Sequence, residues 1–362
     1  MGPMAGALFR ILCSGIACAL LLLGAAAHAR AEPLTPGRST GSRSASRAPL
    51  DLSRAGLFAP VWSFRAGAPL RAGAGLGADC VAVGTTDGYV HLLRGDGGYR
   101  WSFTVKGAVI APPVIGEQGT VYVATSTRKL YALSPSGTLA WSTTLAGTPL
   151  SPLEKAPDGS ILIATREGVL YAVTPGGRMR TALTTREPLT AAPIALDQAW
   201  AAGGSRGTLF RVEGFALRRE KLASTPLTML SRAGREVVAL SDGKLTGAVS
   251  VGQGSFAWLG CPGPSPVVVD EAGKIAKIAA GKLEALSTLG EPASAPPSCL
   301  PDGRVLVPHE SGALSVVGPG SKVTRHVVAR TRLFSPLVDA KRQLVIATSA
   351  DGQSVALPTG GL

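Results

Sequence analysis

The chain has 362 residues, 45% of them hydrophobic but only 5% aromatic, and 36 Lys and Arg against 23 Asp and Glu give a formal net charge of +13. So few rings argue against a polysaccharide binder, which needs a row of exposed aromatics, and an odd set of five cysteines argues against a disulfide framework. The charge favours solubility and attraction to acidic partners, and by itself says nothing of the fold.

Residues 1–31 read as a secretory signal peptide. Arg10 precedes an uncharged run over 11–27, and Ala27-His28-Ala29 and Ala29-Arg30-Ala31 offer cleavage after Ala29 or Ala31. An uncleaved anchor is the alternative, because about 20 apolar residues span a bilayer. Cys18 follows Gly15-Ile16-Ala17, a poor lead-in for lipidation. Residues 32–56 are rich in Ser, Arg, Pro and Gly and have almost nothing to bury, which predicts a flexible linker. Its Arg38, Arg43, Arg47 and Arg54 are either solvated or a means of peripheral association with an anionic membrane.

Residues 57–362 are periodic. Residues 121–141, VYVATSTRKLYALSPSGTLAW, match 161–181, ILIATREGVLYAVTPGGRMRT, at a shift of 40, and each reads as short antiparallel strands joined by tight turns. The same turn position recurs at Gly88, Arg128, Gly168, Gly207, Gly243, Gly281, Gly312 and Gly352, at intervals of 40, 40, 39, 36, 38, 31 and 40. A tight turn needs positive φ, which suits Gly, so Arg128 predicts a turn of another type. A proline ahead of most copies (Pro112, Pro152, Pro193, Pro226, Pro266, Pro296, Pro336) marks the first strand, where a missing N–H is tolerated. Each copy then holds four strands: A, led by Pro; B and C, flanking the marker turn; and D, carrying or lying near a Trp. With about 38 residues per copy, the prediction is an all-β, eight-bladed β-propeller of four-stranded antiparallel blades. Residues 60–64 look like a D strand with nothing before it, and 352–357 like a C strand with no D after it. The N-terminal strand should therefore pair with the C-terminal blade and close the ring.

The runs YALSPSGTLAW and YAVTPGGRMRT resemble the repeat of the quinoprotein-type (PQQ-like) β-propeller superfamily, with Ser134 and Thr174 where that repeat has Asp. The resemblance covers 57–362 and implies that Trp62, Trp101, Trp141 and Trp258 dock neighbouring blades, leaving blades 3, 4, 6 and 7 to other packing. Size, leader and blade number are most similar to the BamB-like scaffolds of outer-membrane protein assembly.

Chemistry is harder to find. Quinoprotein dehydrogenases of this superfamily imply adjacent bonded cysteines and calcium-binding carboxylates; this chain has no Cys-Cys pair, and its acids fall largely in turns. No cofactor, metal or catalytic residue is assigned. His91, His309 and His326 are placed in different blades without ligand spacing, no G-x-S-x-G, H-E-x-x-H or G-x-x-x-x-G-K-[ST] is assigned, and the Gly-rich stretch from Gly73 to Gly77 reads as a loop. Cys80, Cys261 and Cys299 read as independent buried thiols, with a Cys261–Cys299 bridge as the alternative. The marker turns of blades 2 to 4 carry Arg128, Lys129, Arg166 and Arg206, while those of blades 1, 5 and 8 carry Asp87, Asp242 and Asp351, predicting a basic arc opposite an acidic one. The expectation is a monomeric, non-catalytic, periplasmic or secreted scaffold that meets an acidic protein partner in the envelope. Nucleic acid is excluded as a partner, since no aromatics interleave with the basic turns. The alternative is a ligand-binding or PQQ-dependent enzymatic propeller with its site at the central funnel.

Overall fold

The computed structural model describes residues 59–249 and 254–362; the leader and linker read from the sequence lie outside the described residues. Eight antiparallel sheets follow one another as the blades of an eight-bladed propeller. Blades 1 to 3 repeat one plan, with strands A to D at Gly75–Leu76, Cys80–Gly84, Tyr89–Arg94 and Tyr99–Thr104; at Val114–Ile115, Val121–Ala124, Lys129–Leu133 and Leu139–Thr144; and at Glu154–Lys155, Ile161–Ala164, Val169–Val173 and Met179–Thr184. Blade 4 has Leu189–Ala195, Trp200–Gly204, Thr208–Glu213 and Ala216–Lys221; blade 6 has Phe256–Gly260, Val267–Asp270, Lys274–Ala279 and Lys282–Thr288; blade 7 has Ser298–Cys299, Val305–Pro308, Ala313–Val317 and Val323–Val327. Blade 5 has three strands among the described residues, Leu227–Ala233, Glu236–Ser241 and Lys244–Gly247.

B strands such as Val121–Ala124 and Ile161–Ala164 are buried along their whole length. A strand covered on both faces needs a continuous apolar run rather than alternation, and that is what the sequence supplies. The interior is divided accordingly. Eight hydrophobic clusters each draw on two adjacent blades: Leu92 of blade 1 packs with Val123 of blade 2, Ile163 of blade 3 joins Tyr122 of blade 2, and so on round the ring to Trp62 of blade 8 with Val81 of blade 1.

Closure follows the predicted pairing. The strand Trp62–Arg65 is the outer strand of blade 8, with Trp62 opposite Ala356 and Arg65 opposite Gln353. Arg342 of blade 8 reinforces the seam: its Nη1 donates to Asp339 Oδ2 at 2.9 Å and to the Ala78 carbonyl at 3.1 Å, its Nη2 meets Asp79, and Arg100 of blade 1 holds the same Asp79 at 3.0 Å.

A second joint recurs on the outer strands. Trp62, Trp101 and Trp141 donate Nε1–H to the carbonyls of Gly95, Pro135 and Pro175, at 3.1, 2.9 and 2.9 Å, each in the C to D turn of the next blade. The indoles cover Gly97, Gly137 and Gly177, where an added Cβ would lie 2.4 to 2.8 Å from the ring. Where the Trp position holds Thr181, the following Gly214 has open space above it. Blade 6 makes the equivalent contact with Ser287, whose hydroxyl reaches the Ser321 carbonyl of blade 7.

Several expectations are corrected. The marker turn of blade 6 is at Gly273, between Asp270 and Lys274, and Gly281 is its C to D turn. The short interval therefore runs from Gly243 to Gly273 and belongs to the three-stranded blade. In consequence Trp258 lies on the first strand of blade 6, donating to the Ala293 carbonyl at 2.9 Å, and Pro266 precedes a B strand. Arg128 keeps the same turn as the glycines: its φ is +61° and its N–H bonds Thr125 O at 3.1 Å, as Gly168 bonds Thr165 O at 3.0 Å. Gly75–Leu76 is the inner strand of blade 1 rather than a loop; an added Cβ at Gly75 would meet the Pro113 carbonyl at 1.8 Å, so the close approach of blade 2 requires glycine at this position. His309 and His326 share blade 7. Cys261 and Cys299 are bonded, S–S 2.03 Å, because the A strands of blades 6 and 7 lie side by side; Cys80 is the buried free thiol.

Two stability tests follow. Gly137→Ala, which meets both the left-handed backbone and the Trp101 ring, should cost about 1 kcal/mol more than Gly214→Ala, which meets the backbone alone; denaturant midpoints compare them. Cys299→Ser opens a bridge of sequence separation 38 and should cost about 3 to 4 kcal/mol by loop entropy, read from urea unfolding against the oxidised parent.

Candidate functional site

The B to C turns share one face with the links between blades. The turn amides of Thr86, Ser126, Arg166, Ser205 and Ala350 donate to the carbonyls of Pro69, Ala108, Thr148, Pro188 and Arg332, each in the link entering the same blade. Turn and link thus hold each other through backbone bonds, reinforced by side chains such as Ser126, which accepts the Ala108 N–H at 3.1 Å.

Arg128, Arg166 and Arg206 are exposed on this face on blades 2, 3 and 4, and Lys129 is half-buried at the start of its strand. Among the described residues none of the three guanidinium groups is ion-paired. The Arg206 carbonyl takes a bond from Lys221 Nζ, adding a further cation to the arc. The three arginines are not equivalent residues of the repeat: Arg128 occupies the marker position, while Arg206 and Arg166 lie one and two residues before it. Two carboxylates interrupt the arc. Glu167 accepts from the Thr148 N–H at 2.6 Å and hydroxyl at 3.1 Å. Partial burial opposes its charge, yet these bonds and the nearby Arg128 hold its pKa below the usual value. Glu187 takes the Thr208 hydroxyl at 3.3 Å.

The acidic arc has a different character. Asp87 accepts from the Thr85 hydroxyl and Asp351 from the Ser349 hydroxyl, both at 2.5 Å and within their own turns, and Asp242 sits at φ +48°. Asp87 and Asp351 are thus turn-forming aspartates, each with one carboxylate oxygen engaged within its own turn. The structure adds Glu291, held by Arg325 at 2.8 Å, which no spacing in the sequence singles out.

Two arrangements resemble catalysis by their residues alone. Ser315 Oγ is 2.7 Å from His309 Nε2, and Glu291 Oε1 lies 3.6 Å from Nδ1. His309 is fully buried, Ser315 is 3% exposed, and Nδ1 lies 2.9 Å from the Pro292 carbonyl. A carbonyl only accepts, so Nδ1 carries the proton and Nε2 accepts from Ser315. The trio ties strands together, and no acyl group can reach it. Contrary to the expectation from sequence, a G-x-S-x-G does occur, from Gly203 to Gly207, but it turns between two antiparallel strands instead of leading into a helix, so it lacks the nucleophile elbow's geometry.

Near the axis, Glu154 on the first strand of blade 3 has its pKa pushed up to about 7 by burial, against the lowering effect of the Ala195 N–H and Lys155. No group of three or more His, Cys, Asp or Glu that could hold a metal ion occurs among the described residues. A cleft of about 770 Å³ runs past the disulfide between blades 6, 7 and 8, lined by prolines and aliphatics with Lys277 at its wall.

The Glu154 carboxyl gives a pH test. Its folded pKa of about 7 lies above the ordinary 4.5, so the unfolded chain releases its proton first and stability falls as pH rises from about 4.5 to 7. Glu154→Gln should melt higher than the parent at pH 8 and level with it at pH 4, in a thermal unfolding series.

Comparison with known proteins completes the description. BamB of Burkholderia pseudomallei (strain K96243) is 40% identical over 65 residues, which are 18% of this chain and 17% of that protein, so the match spans about a sixth of the relative. Among solved structures, BamB from Moraxella catarrhalis superposes with a TM-score of 0.68 at 17% identity over 83% of this chain and 98% of its own. The computationally designed Ika8 protein gives 0.67 at 12% over 81% and 97%, and the C-terminal WD40 domain of Sif2 gives 0.66 at 12% over 83% and 98%. At such identities the likeness concerns the fold, which hosts many activities. A family model described as outer membrane protein assembly factor BamB matches residues 59–258, more than half of the chain, and spans the closing strand through the first strand of blade 6. The chain belongs to that family.

Proposed function

We propose that this protein is a non-catalytic, exported scaffold of the cell envelope that takes part in outer-membrane protein assembly and presents its B to C face to an acidic partner protein. The observation that carries the reading is the set of three exposed, unpaired guanidinium groups on adjacent blades, Arg128, Arg166 and Arg206, mounted on turns pinned by backbone bonds. Guanidinium groups without an ion-pair partner among the described residues, set on a rigid face, can bond carboxylates and steer association, whereas Asp87 and Asp351 opposite are each engaged within their own turns. Family membership supports an assembly role, as does the name carried by the relatives, outer membrane protein assembly factor. Export rests on the leader over 1–31, and Arg38, Arg43, Arg47 and Arg54 would hold the linker near an anionic surface.

The funnel reading has one observation in its favour, the Glu154 carboxyl with its pKa raised to about 7, and one carboxyl falls short of a ligand set.

The test is charge reversal. A variant with Arg128→Glu, Arg166→Glu and Arg206→Glu should fold as the parent does and lose at least tenfold in affinity for envelope proteins captured at low salt, with the parent's own binding weakening as salt rises. Undiminished capture by the triple variant would sink the proposal.

A further inference from the structure

The opposite rim of the propeller, where C turns into D, carries a pattern the assembly role does not use. Eight large hydrophobic side chains are exposed among the described residues, and six of them lie at or next to the start of an outer strand: Val323, Val61, Tyr99, Leu139, Met179 and Phe215, 37 to 76% exposed. They belong to blades 7, 8, 1, 2, 3 and 4, one from each of six consecutive blades. Tyr99, Leu139 and Met179 recur at 40-residue intervals as the first residue of their strands. Blade 6 breaks the series with Lys282.

We infer that this rim rests on an anionic lipid surface, each apolar side chain entering the headgroup layer at one point of a ring. Three observations favour lipid over a protein occupant. The points are separated by polar turns and spread over most of a circumference, so a globular partner of ordinary footprint would cover two or three of them, whereas a plane meets all at once. Cations flank the tips in sequence: Arg178 and Lys322, exposed and without an ion-pair partner among the described residues, immediately precede Met179 and Val323. Arg100 and Arg180, next to Tyr99 and Met179, are already paired with Asp79 and Asp158, so the charge available to lipid comes from the unpaired pair. Third, the chain enters the fold at this rim beside Val61, downstream of the uncharged run over 11–27 and of four arginines. The arginine-bearing B to C face would then point away from the membrane.

Tryptophans on the same outer strands supply the measurement. The full chain is mixed with vesicles of phosphatidylethanolamine and phosphatidylglycerol, with and without bromine on the acyl chains. Trp101 and Trp141 should be quenched at least twofold more than Trp258, separated by single Trp→Phe variants. In the triple variant Leu139→Glu, Met179→Glu and Phe215→Glu that difference should disappear while the melting temperature and envelope-protein capture stay at the parent's values, since these side chains already face water. Vesicle association without preferential quenching, or quenching that survives the triple variant, overturns the proposal. So does a triple variant that sits on vesicles as the parent does but loses a protein partner, which would assign the rim to protein.

Discussion

The fold depends on the contact between neighbouring blades. A single four-stranded sheet has two apolar faces and no helix to cover either, so it is stable only when flanked by others like itself. Eight separate clusters, each shared by two blades, are the result. Every blade is a necessary partner of the next, and an interruption anywhere exposes two clusters to water. This is why the joints are over-determined: indole to turn carbonyl at blades 8/1, 1/2 and 2/3, a hydroxyl and a disulfide at 6/7, and a guanidinium bridging two aspartates where the chain ends meet.

The division of the molecule into two faces follows from the same arrangement. Turns and entering links bond to one another on one face, which makes that face stiff and lets long cationic side chains project from it. The other face ends in the starts of the outer strands, where one side of each residue has no neighbouring strand and an apolar side chain must stay in water or find another apolar phase. The first face suits recognition by charge, the second by partition, and neither requires a catalytic group.

Blade number, the closing strand and most turns were legible because they rest on local rules: a residue with positive φ every 30 to 40 positions, and apolar runs on either side of it. The reading failed where two turns obeyed the same rule. Gly273 and Gly281 both have positive φ, φ +81° and +76°, and only strand pairing shows which of them separates B from C. Trp258 went astray with them, because an indole looks the same on an inner or an outer strand. The Arg128 turn misled for another reason: a side-chain-bearing residue can occupy the left-handed region at modest cost when neighbouring bonds hold it there. The cysteine pair was undecidable from an odd count, since adjacency of inner strands is a property of the closed ring. That Arg128, Arg166 and Arg206 fall in B to C turns is visible in the repeat, but whether an acid is spent within its own turn, as at Asp87, needs atomic positions. The apolar rim is written in the sequence at the same 40-residue interval, in the first residues of the outer strands, Tyr99, Leu139 and Met179.

Closure of the ring joins residues far apart in the chain: Trp62 lies opposite Ala356, 294 positions later. During synthesis the first outer strand emerges long before its partner exists, and the last blade has nothing to hold it until the whole polypeptide is available. The final contact is therefore among the most non-local in the molecule, of the kind that forms slowly and leaves a β edge and its apolar neighbours unprotected meanwhile. A truncation of even the last strand would therefore cost the molecule the one blade that both ends of the fold share.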